Sequence, residues 1–267
     1  MKKRVGLLFG GRSAEHEVSL QSAKNVLEAI DKDKYEVVLI GIDKKGKWHL
    51  YDSKDFLVNA DDPKLIALKE SNEGVAFVPG EAHQLVKTNG MEVLDKLDVI
   101  FPILHGTLGE DGSVQGLLRV ADIPFVGPSV LGSSVSMDKD VAKRLLKAAG
   151  LDVANSFTFT RATKDKISFD EIEQNLGLPL FIKPANQGSS VGVSKVESEE
   201  EFIQAIDEAF KYDHKVLIEE AVKGREIECS VLGNEYPKAS IPGEIIAVDD
   251  FYSYEATYLD EHGARLE

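Results

Sequence analysis

The sequence contains a single cysteine, Cys229, among its 267 residues. No disulfide can form within one chain, which is typical of proteins from a reducing compartment. Apolar and polar residues alternate from position 226 to 232, and this pattern predicts one half-buried strand with Cys229 pointing inward. The adjacent Glu226 and Glu228 disfavour a thiolate, so we expect Cys229 to pack in the core and not to react.

Long apolar runs are also lacking. The N-terminus begins with Met-Lys-Lys-Arg and a short apolar stretch that stops at Gly10-Gly11, which is shorter than the apolar region of a signal peptide. No other stretch approaches the length needed to span a membrane. These absences predict a cytoplasmic protein.

Positive charge is scarce, since 31 Lys and Arg stand against 46 Asp and Glu and leave a net charge of -15. The average field of such a protein repels a phosphate backbone, so no nucleic-acid partner is expected. A few lysines in one cleft can still hold an anionic nucleotide, and ATP is therefore not excluded. The ordinary globular composition and the length predict about two or three domains.

The first 130 residues predict alternating strands and helices. Near-continuous apolar segments at 5–9, 35–42 and 97–104 favour parallel strands that are covered on both faces. A helix with Leu20, Ala23, Leu27 and Ile30 on one stripe follows the first strand. This pattern predicts a Rossmann-like α/β domain, whose ligands would bind at loops starting at Gly10 and His105.

The pattern changes at Ser129. We expect one helix that carries Val141 and Leu145 and ends at Gly150. A second helix should begin at Ser198, because Glu201 stands at capping-box spacing. Strands are predicted near 180–183, 191–196, 215–219, 226–232 and 239–248. Antiparallel strands mixed with helices indicate an α+β unit.

Two phosphate-binding patterns fail in this chain. The segment from Gly41 to Lys47 matches the first part of a Walker A motif, but Trp48 stands where Ser or Thr would bind magnesium. We expect a hairpin turn at Lys45-Gly46 instead. Gly10-Gly11 follows a strand but lacks the G-x-G-x-x-G spacing, so NAD is a poor candidate.

The run Lys-Pro-Ala-Asn-Gln-Gly-Ser-Ser-Val-Gly at 183–192 is stronger evidence for phosphate binding. It supplies amides beside Gly188 and Gly192, the hydroxyls of Ser189 and Ser190, and the ammonium of Lys183. A surface hairpin whose glycines serve only the turn has equal support from composition. The rest of the sequence has to decide between these alternatives.

Four other segments accompany this run. They are Gly10-Gly-Arg-Ser-Ala-Glu-His-Glu-Val-Ser-Leu20, His105-Gly-Thr-Leu-Gly-Glu-Asp-Gly112, Met137-Asp-Lys139 and Val216-Leu-Ile-Glu219. In this order, the chain resembles the D-alanine:D-alanine ligase family of ATP-grasp enzymes over its whole length. The resemblance implies a Rossmann-like N-terminal domain at 1–130, a central ATP-grasp α+β subdomain at 131–224 and an incomplete C-terminal one at 225–267.

The resemblance also implies an activity: two D-alanines are joined with ATP, through a D-alanyl phosphate, for peptidoglycan precursor synthesis. Lys139 and Lys183 would neutralise ATP phosphates. The family's other ATP contacts fall on Gly188, Ser189, Ser190, Val191, Glu219 at the adenine, backbone near Val222, and Glu226 at the ribose. Glu220 is an ambiguous neighbour of the adenine contact that we expect to face solvent.

Four positions carry the catalytic roles that the resemblance implies. Glu15 would bind the ammonium of the first D-alanine and join Ser189 and Tyr258 in a hydrogen-bonded chain that latches the loop over the site. His105 would lie near the reacting carboxylate, although a structural loop donor is the alternative. We expect residues 110–112 to shape a turn and cap a helix. Members of the family commonly form homodimers.

The sequence departs from the family pattern in two places. Thr257 stands where the family usually has a lysine before Tyr258. The 267 residues also end before the segment in which the family places its magnesium ligands. We therefore expect no metal ligand within these residues and weak or no activity of this chain alone. A D-alanine:D-lactate ligase and a noncatalytic nucleotide-binding module are the alternatives.

Overall fold

The computed structural model describes residues 2–80, 85–90, 92–247 and 264–266. It divides into two compact units, one of Met1–Leu151 with Ala185–Gly188 and one of Asp152–Pro184 with Ser189–Glu267. The predicted boundaries at residues 130 and 224 do not coincide with this division and stay predictions.

The first unit alternates strands with helices. Its strands are β1 (Lys3–Gly10), β2 (Tyr35–Ile42), β3 (Trp48–Tyr51), β4 (Leu57–Val58), β5 (Ala67–Leu68), β6 (Val75–Phe77), β7 (Leu85–Lys87) and β8 (Val99–Ile103). Its helices are α1 (His16–Ala29), α2 (Ser113–Val120), α3 (Val130–Met137) and α4 (Lys139–Ala148).

The main sheet of this unit has the order β3-β2-β1-β8, and β1 runs parallel to both β2 and β8. Leu8 and Ile100 pack on one face with Leu118 of α2, whereas Leu7 packs on the other face with Leu20 of α1. The predicted parallel, doubly covered sheet is confirmed. β2 and β8 lie on opposite sides of β1, so the connections to them diverge. This divergence forms a crevice at the carboxyl ends of β1 and β8, where ligands bind in sheets of this kind.

Two local predictions in this unit have different outcomes. The hairpin turn is confirmed, since Gly46 adopts φ +85° and donates its amide to Asp43 O at 2.9 Å. The helix expected to carry Val141 and Leu145 is present as α4, but its expected start at Ser129 is wrong, because a separate helix, α3, precedes it. Asp138 separates them by accepting a hydrogen bond from Val141 N at 3.1 Å, which is the geometry of an N-cap. Gly150, with φ +80°, follows the end of α4 as expected.

The second unit is antiparallel. Its strands are β9 (Ser156–Thr160), β10 (Leu180–Pro184), β11 (Ser194–Val196), β12 (Lys215–Glu220), β13 (Glu226–Glu228), β14 (Val231–Leu232), β15 (Lys238–Ala239), β16 (Gly243–Ala247) and β17 (Ala264–Leu266). Its helices are α5 (Phe169–Leu176), α6 (Glu199–Tyr212) and the 3-10 helix Arg161–Lys166. In the described part of the chain, no helix combines the length and apolar content that crossing a membrane requires.

The sheet β11-β10-β12-β9 has antiparallel pairing throughout, which confirms the α+β prediction for this unit. Leu180, Ile182 and Ile218 lie on one face and pack against Phe202 and Ile206 of α6. Since side chains alternate along a strand, Lys183 and Glu219 lie on the opposite face. The hydrophobic core therefore fixes the face on which these two charges stand.

The predicted inward position of Cys229 is wrong. The alternating segment forms two short strands instead of one, because β13 ends at Glu228 and β14 begins at Val231. Cys229 lies in the break and is exposed, with Sγ 3.4 Å from Ser240 O. Alternation alone could not reveal this interruption.

Candidate active site

Glu15 lies where the loop after β1 enters α1, and only 2% of its surface is exposed. Its amide donates to Ser13 Oγ at 3.0 Å. Its carboxylate packs against two glycines of the first unit: a Cβ atom on Gly188 would stand 3.2 Å from Oε2, and one on Gly106 would overlap that oxygen. The absence of a side chain at Gly106 makes room for the carboxylate, and a side chain at Gly188 would crowd it.

We expect Gly106→Ala to destabilise the first unit by about 2–4 kcal/mol. Gly106 has φ +71°, and a Cβ there would also stand 2.7 Å from Ser13 Oγ, so the variant combines backbone strain with overpacking. Gly90→Ala is the matched control, since Gly90 has φ +88° but no atom within 4 Å of the added carbon. Urea unfolding of both variants measures the difference. Equal losses of unfolding free energy in Gly106→Ala and Gly90→Ala would show that an added Cβ at position 106 does not clash with Glu15.

Two buried polar residues of α1 hold the loops of this site. Ser19 Oγ accepts a hydrogen bond from Gly10 N at 2.8 Å and donates one to Ile103 O, so it ties the end of β1 to the end of β8. His16 donates from Nδ1 to Gly11 O at 2.8 Å. Neither residue was predicted from the sequence to belong to the site. Their position beside Leu20 on the buried stripe of α1 was the available signal.

His105 lies two residues after the end of β8 and is half-buried. Its Nε2 lies 3.0 Å from Ser22 Oγ on α1, so a hydroxyl orients the ring, and its predicted place near a reacting carboxylate stays a prediction. The turn after it is held by acidic side chains as expected. Glu110 accepts from Gly106 N at 2.6 Å, and Asp111 accepts from Ser113 N at 2.9 Å at the start of α2.

Lys139, the first residue of α4, holds the base of the glycine-rich loop. Its backbone amide donates to Ala185 O at 3.0 Å, and its ammonium donates to Gln187 O. The side chain of Gln187 lies 3.4 Å from Thr107 Oγ1. The predicted contact of Lys139 with a phosphate stays a prediction, and the structure adds a role that the sequence did not suggest.

Lys183 and Glu219 form an ion pair in the second unit. They stand on adjacent strands, where Phe181 is opposite Glu219 and Lys183 is opposite Leu217. Nζ of Lys183 lies 2.5 Å from Oε2 of Glu219, and their side chains are only 22% and 11% exposed. The ammonium is also 5.8 Å from the centre of the Phe181 ring. The structure therefore places two predicted nucleotide contacts side by side on one sheet face.

The second half of the glycine-rich loop has left-handed backbone conformations. Ser189, Ser190 and Gly192 have φ values of +48°, +59° and +70°. A Cβ on Gly192 would stand 2.7 Å from the ring of Tyr212 and 2.9 Å from Pro184 Cγ. The sequence suggested Gly188 and Gly192 as phosphate-binding glycines. In the structure, Gly188 lets Glu15 pack closely against the loop, and Gly192 does the same for Tyr212.

The remaining predicted residues have mixed outcomes. Glu220 does not simply face solvent, since its half-buried carboxylate accepts from Asn155 N at 2.6 Å and from Asn155 Nδ2 at 3.2 Å. Val191 is half-buried, whereas Val222 and Glu226 are exposed. Ser189 belongs to the second unit and Tyr258 lies outside the described residues, as does Thr257, so the hydrogen-bonded chain with Glu15 stays a prediction. Within the described ranges, no group of three or more His, Cys, Asp or Glu could hold a metal ion.

Comparisons with known proteins cover nearly the whole chain. A family model described as D-ala D-ala ligase N-terminus matches residues 4–128, and one described as D-ala D-ala ligase C-terminus matches residues 145–267. The D-alanine--D-alanine ligase of Shouchella clausii is 68% identical over 99% of this chain and 72% of its own length. D-alanine--D-alanine ligase A of Escherichia coli strain K12 is 60% identical over 99% of this chain and 73% of its own length.

Solved structures agree with these relatives. The VanG D-Ala:D-Ser ligase from Enterococcus faecalis has a TM-score of 0.80 at 36% identity, over 100% of this chain and 76% of that one. The D-alanine-D-alanine ligase from Coxiella burnetii has a TM-score of 0.77 at 37% identity, over 91% and 68% of the two chains. The architecture is therefore that of the ATP-grasp ligases. The chain belongs to the D-alanine–D-alanine ligase family, which confirms the resemblance seen in its motifs.

Proposed function

We propose that this protein joins two D-alanines to D-alanyl-D-alanine with ATP, as a step in peptidoglycan precursor synthesis. The observation that carries the proposal is the Glu15 carboxylate, 2% exposed and enclosed by Gly106 and Gly188. A carboxylate buried to this extent attracts an ammonium group strongly, because little water competes for it. The relatives named above, at 60% and 68% identity, support D-alanine as the source of that ammonium.

The second unit offers groups that fit ATP. Lys183 would neutralise phosphate charge, and Glu219 would accept a hydrogen bond from the adenine amino group, with backbone near Val222 assisting. Glu226 would accept from the ribose hydroxyls. Backbone amides of left-handed turns such as the one at Ser189 and Ser190 form concavities that bind anions. Lys139 is the proposed second cation.

The reaction has two balanced steps. A carboxylate oxygen of the first D-alanine attacks the terminal phosphorus of ATP, and ADP leaves with the electrons of the broken P–O bond. The amine of the second D-alanine then attacks the acyl carbon, phosphate leaves, and the nitrogen loses a proton. Glu15 would hold the first substrate by its ammonium, and His105 would lie beside its carboxylate. The loop at 183–192 would exclude water that hydrolyses the acyl phosphate.

Magnesium would supply positive charge that offsets the negative charge on the phosphates of ATP. The described residues offer no cluster of His, Cys, Asp or Glu that could hold such an ion. We therefore assign no step of the reaction to it. The chemistry assigned to this chain consists of binding, orientation and the exclusion of water.

We further propose that the protein acts in the cytoplasm as a homodimer, as members of the family commonly do. D-serine is the second candidate for the acceptor, because the VanG structure is that of a D-Ala:D-Ser ligase. The curated relatives are more similar, at 60% and 68% identity against 36%, and favour D-alanine. Competition between labelled D-alanine and D-serine would distinguish the two acceptors.

Mass spectrometry of the reaction products tests the proposal. Purified protein incubated with ATP, magnesium and D-alanine should form D-alanyl-D-alanine, ADP and phosphate in equal amounts. L-alanine should give no dipeptide, and omission of ATP should abolish the product. ATP hydrolysis that is independent of D-alanine, with no dipeptide formed, would contradict the proposed function.

A further inference from the structure

A cavity of about 300 Å³ opens at the carboxyl ends of β1, β2 and β8, on the side of the sheet that carries α2. Its walls come from the loop after β1, the hairpin between β2 and β3, the loop after β8, and α2. All of these elements belong to the first unit. The volume lies at the lower end of the range for sites that bind small molecules, about 300 to 1,000 Å³.

The floor and walls of this cavity are largely apolar. They include Ile42, Trp48, Leu104, Val114 and Leu117. Ile42 and Val114 are 6% and 5% exposed, so the floor is part of the packed core and keeps its shape. The cavity is a preformed feature of the unit.

Leu108 stands at the rim in a strained conformation. Its φ is +67°, which is unusual for a residue with a branched side chain. Asp111 holds it there by accepting a hydrogen bond from Leu108 N at 2.9 Å, and 44% of the residue stays exposed. Strain of this kind is concentrated at sites that bind ligands.

Two cations, Arg12 and Lys45, line the same cavity. The Arg12 side chain lies across the hairpin, since a Cβ on Gly46 would stand 2.8 Å from Arg12 Cδ. Neither cation forms an ion pair with any residue that the structure describes, and no carboxylate is among the lining residues. In a chain with a net charge of -15, two uncompensated cations above an apolar floor favour an anionic ligand that also has an apolar part.

We propose that this cavity binds a small amphiphilic monocarboxylate. Its carboxylate group lies between Arg12 and Lys45, and its apolar part packs on Trp48 and Val114. Glu15 and Gly188 do not line the cavity, whereas His105 does, so the cavity adjoins the proposed substrate site.

The fluorescence of Trp48 reports occupancy directly, because it is the only tryptophan in the chain. Titration with phenylbutyrate should change this fluorescence in a saturable way. Phenylbutyramide, its neutral amide, should bind at least about tenfold more weakly, as expected from losing one or two charge-assisted hydrogen bonds. Isothermal titration calorimetry supplies the same affinities without relying on the fluorophore.

Three variants separate charge from apolar packing. The double variant Arg12→Gln/Lys45→Gln should weaken phenylbutyrate binding by about 10- to 100-fold and leave the amide unaffected. Leu117→Phe should weaken both ligands, because it fills the cavity from an exposed position on α2. Lys64→Gln, at an exposed lysine outside the cavity, should change neither affinity. Circular dichroism confirms that each variant is folded.

Several results would overturn the proposal. Phenylbutyrate that fails to bind saturably, or that binds no better than its amide, excludes an anionic site. Wild-type affinity in the double variant excludes Arg12 and Lys45 as its ligands. Wild-type affinity in Leu117→Phe shows that the probe binds elsewhere.

Discussion

Lys183→Met is expected to weaken ATP binding by about 30- to 150-fold, which corresponds to about 2–3 kcal/mol of charge-assisted hydrogen bonding. The ammonium stands at the end of β10, next to the loop that we propose to cover the phosphates, and is only 22% exposed. A partly buried cation interacts with phosphate more strongly than a fully hydrated one. Isothermal titration calorimetry with a non-hydrolysable ATP analogue measures the loss.

Lys195→Met is the matched control for this prediction. Lys195 stands on β11 opposite Phe181, and its ammonium pairs with Glu197 at 3.0 Å. Lys195→Met removes the same kind of charge from a neighbouring strand. Its affinity for ATP should stay within about threefold of the wild-type value. Because Lys183→Met also leaves Glu219 without this cation, circular dichroism and urea unfolding of the variant test whether lost folding explains the result. Equal losses in the two lysine variants would contradict a specific phosphate contact.

Glu15→Gln is expected to lower kcat/KM for D-alanine by about 100- to 1,000-fold. The variant keeps the shape of the side chain but removes its charge, and removing one partner of a buried charge pair costs about 2–5 kcal/mol. The loss should appear mainly for the first substrate, whose ammonium Glu15 is proposed to bind. Steady-state kinetics at varied D-alanine, with saturating ATP, separates this effect from nucleotide binding.

Glu17→Gln provides the control within the same segment. Burial raises the pKa of Glu17, but the hydrogen bond and charge of Lys44 outweigh it and hold that pKa below its ordinary value. The pair lies 2.5 Å apart near the surface, and such pairs contribute about 0–1 kcal/mol. We expect kcat/KM to change by less than about fivefold. A similar loss in both variants would indicate that the helix start, and not the Glu15 charge, had been disturbed.

The sequence predicted the frame of the first unit because near-continuous apolar segments separated by a helix favour parallel strands that are buried on both faces. It also placed Glu15 and His105 on loops at the carboxyl ends of β1 and β8. The sequence did not reveal that one helix ends and another begins at Asp138. The apolar pattern continues through α3 and α4, although Asp138 between them is not helical. The side chain of Asp138 sets the start of α4, because it accepts a hydrogen bond from the amide of Val141.

The contacts of Gly188 and Gly192 could not be predicted from the sequence. Composition alone made Gly188 and Gly192 candidates for either a turn or a phosphate site. The structure places Gly188 against Glu15 and Gly192 against Tyr212. These neighbours are distant in the sequence, and only the packed fold shows which atoms an added methyl group would meet. Tyr258 lies outside the described residues, and its role stays a prediction.

The hydrogen bond from Lys139 N to Ala185 O has a consequence for amide exchange. The first amides of a helix have no partner within the helix and exchange their protons rapidly with solvent. At Lys139 the carbonyl of Ala185 protects this proton for as long as the base of the loop remains in place. The exchange rate of one backbone amide thus reports, without any label on the loop, how often its base detaches from α4.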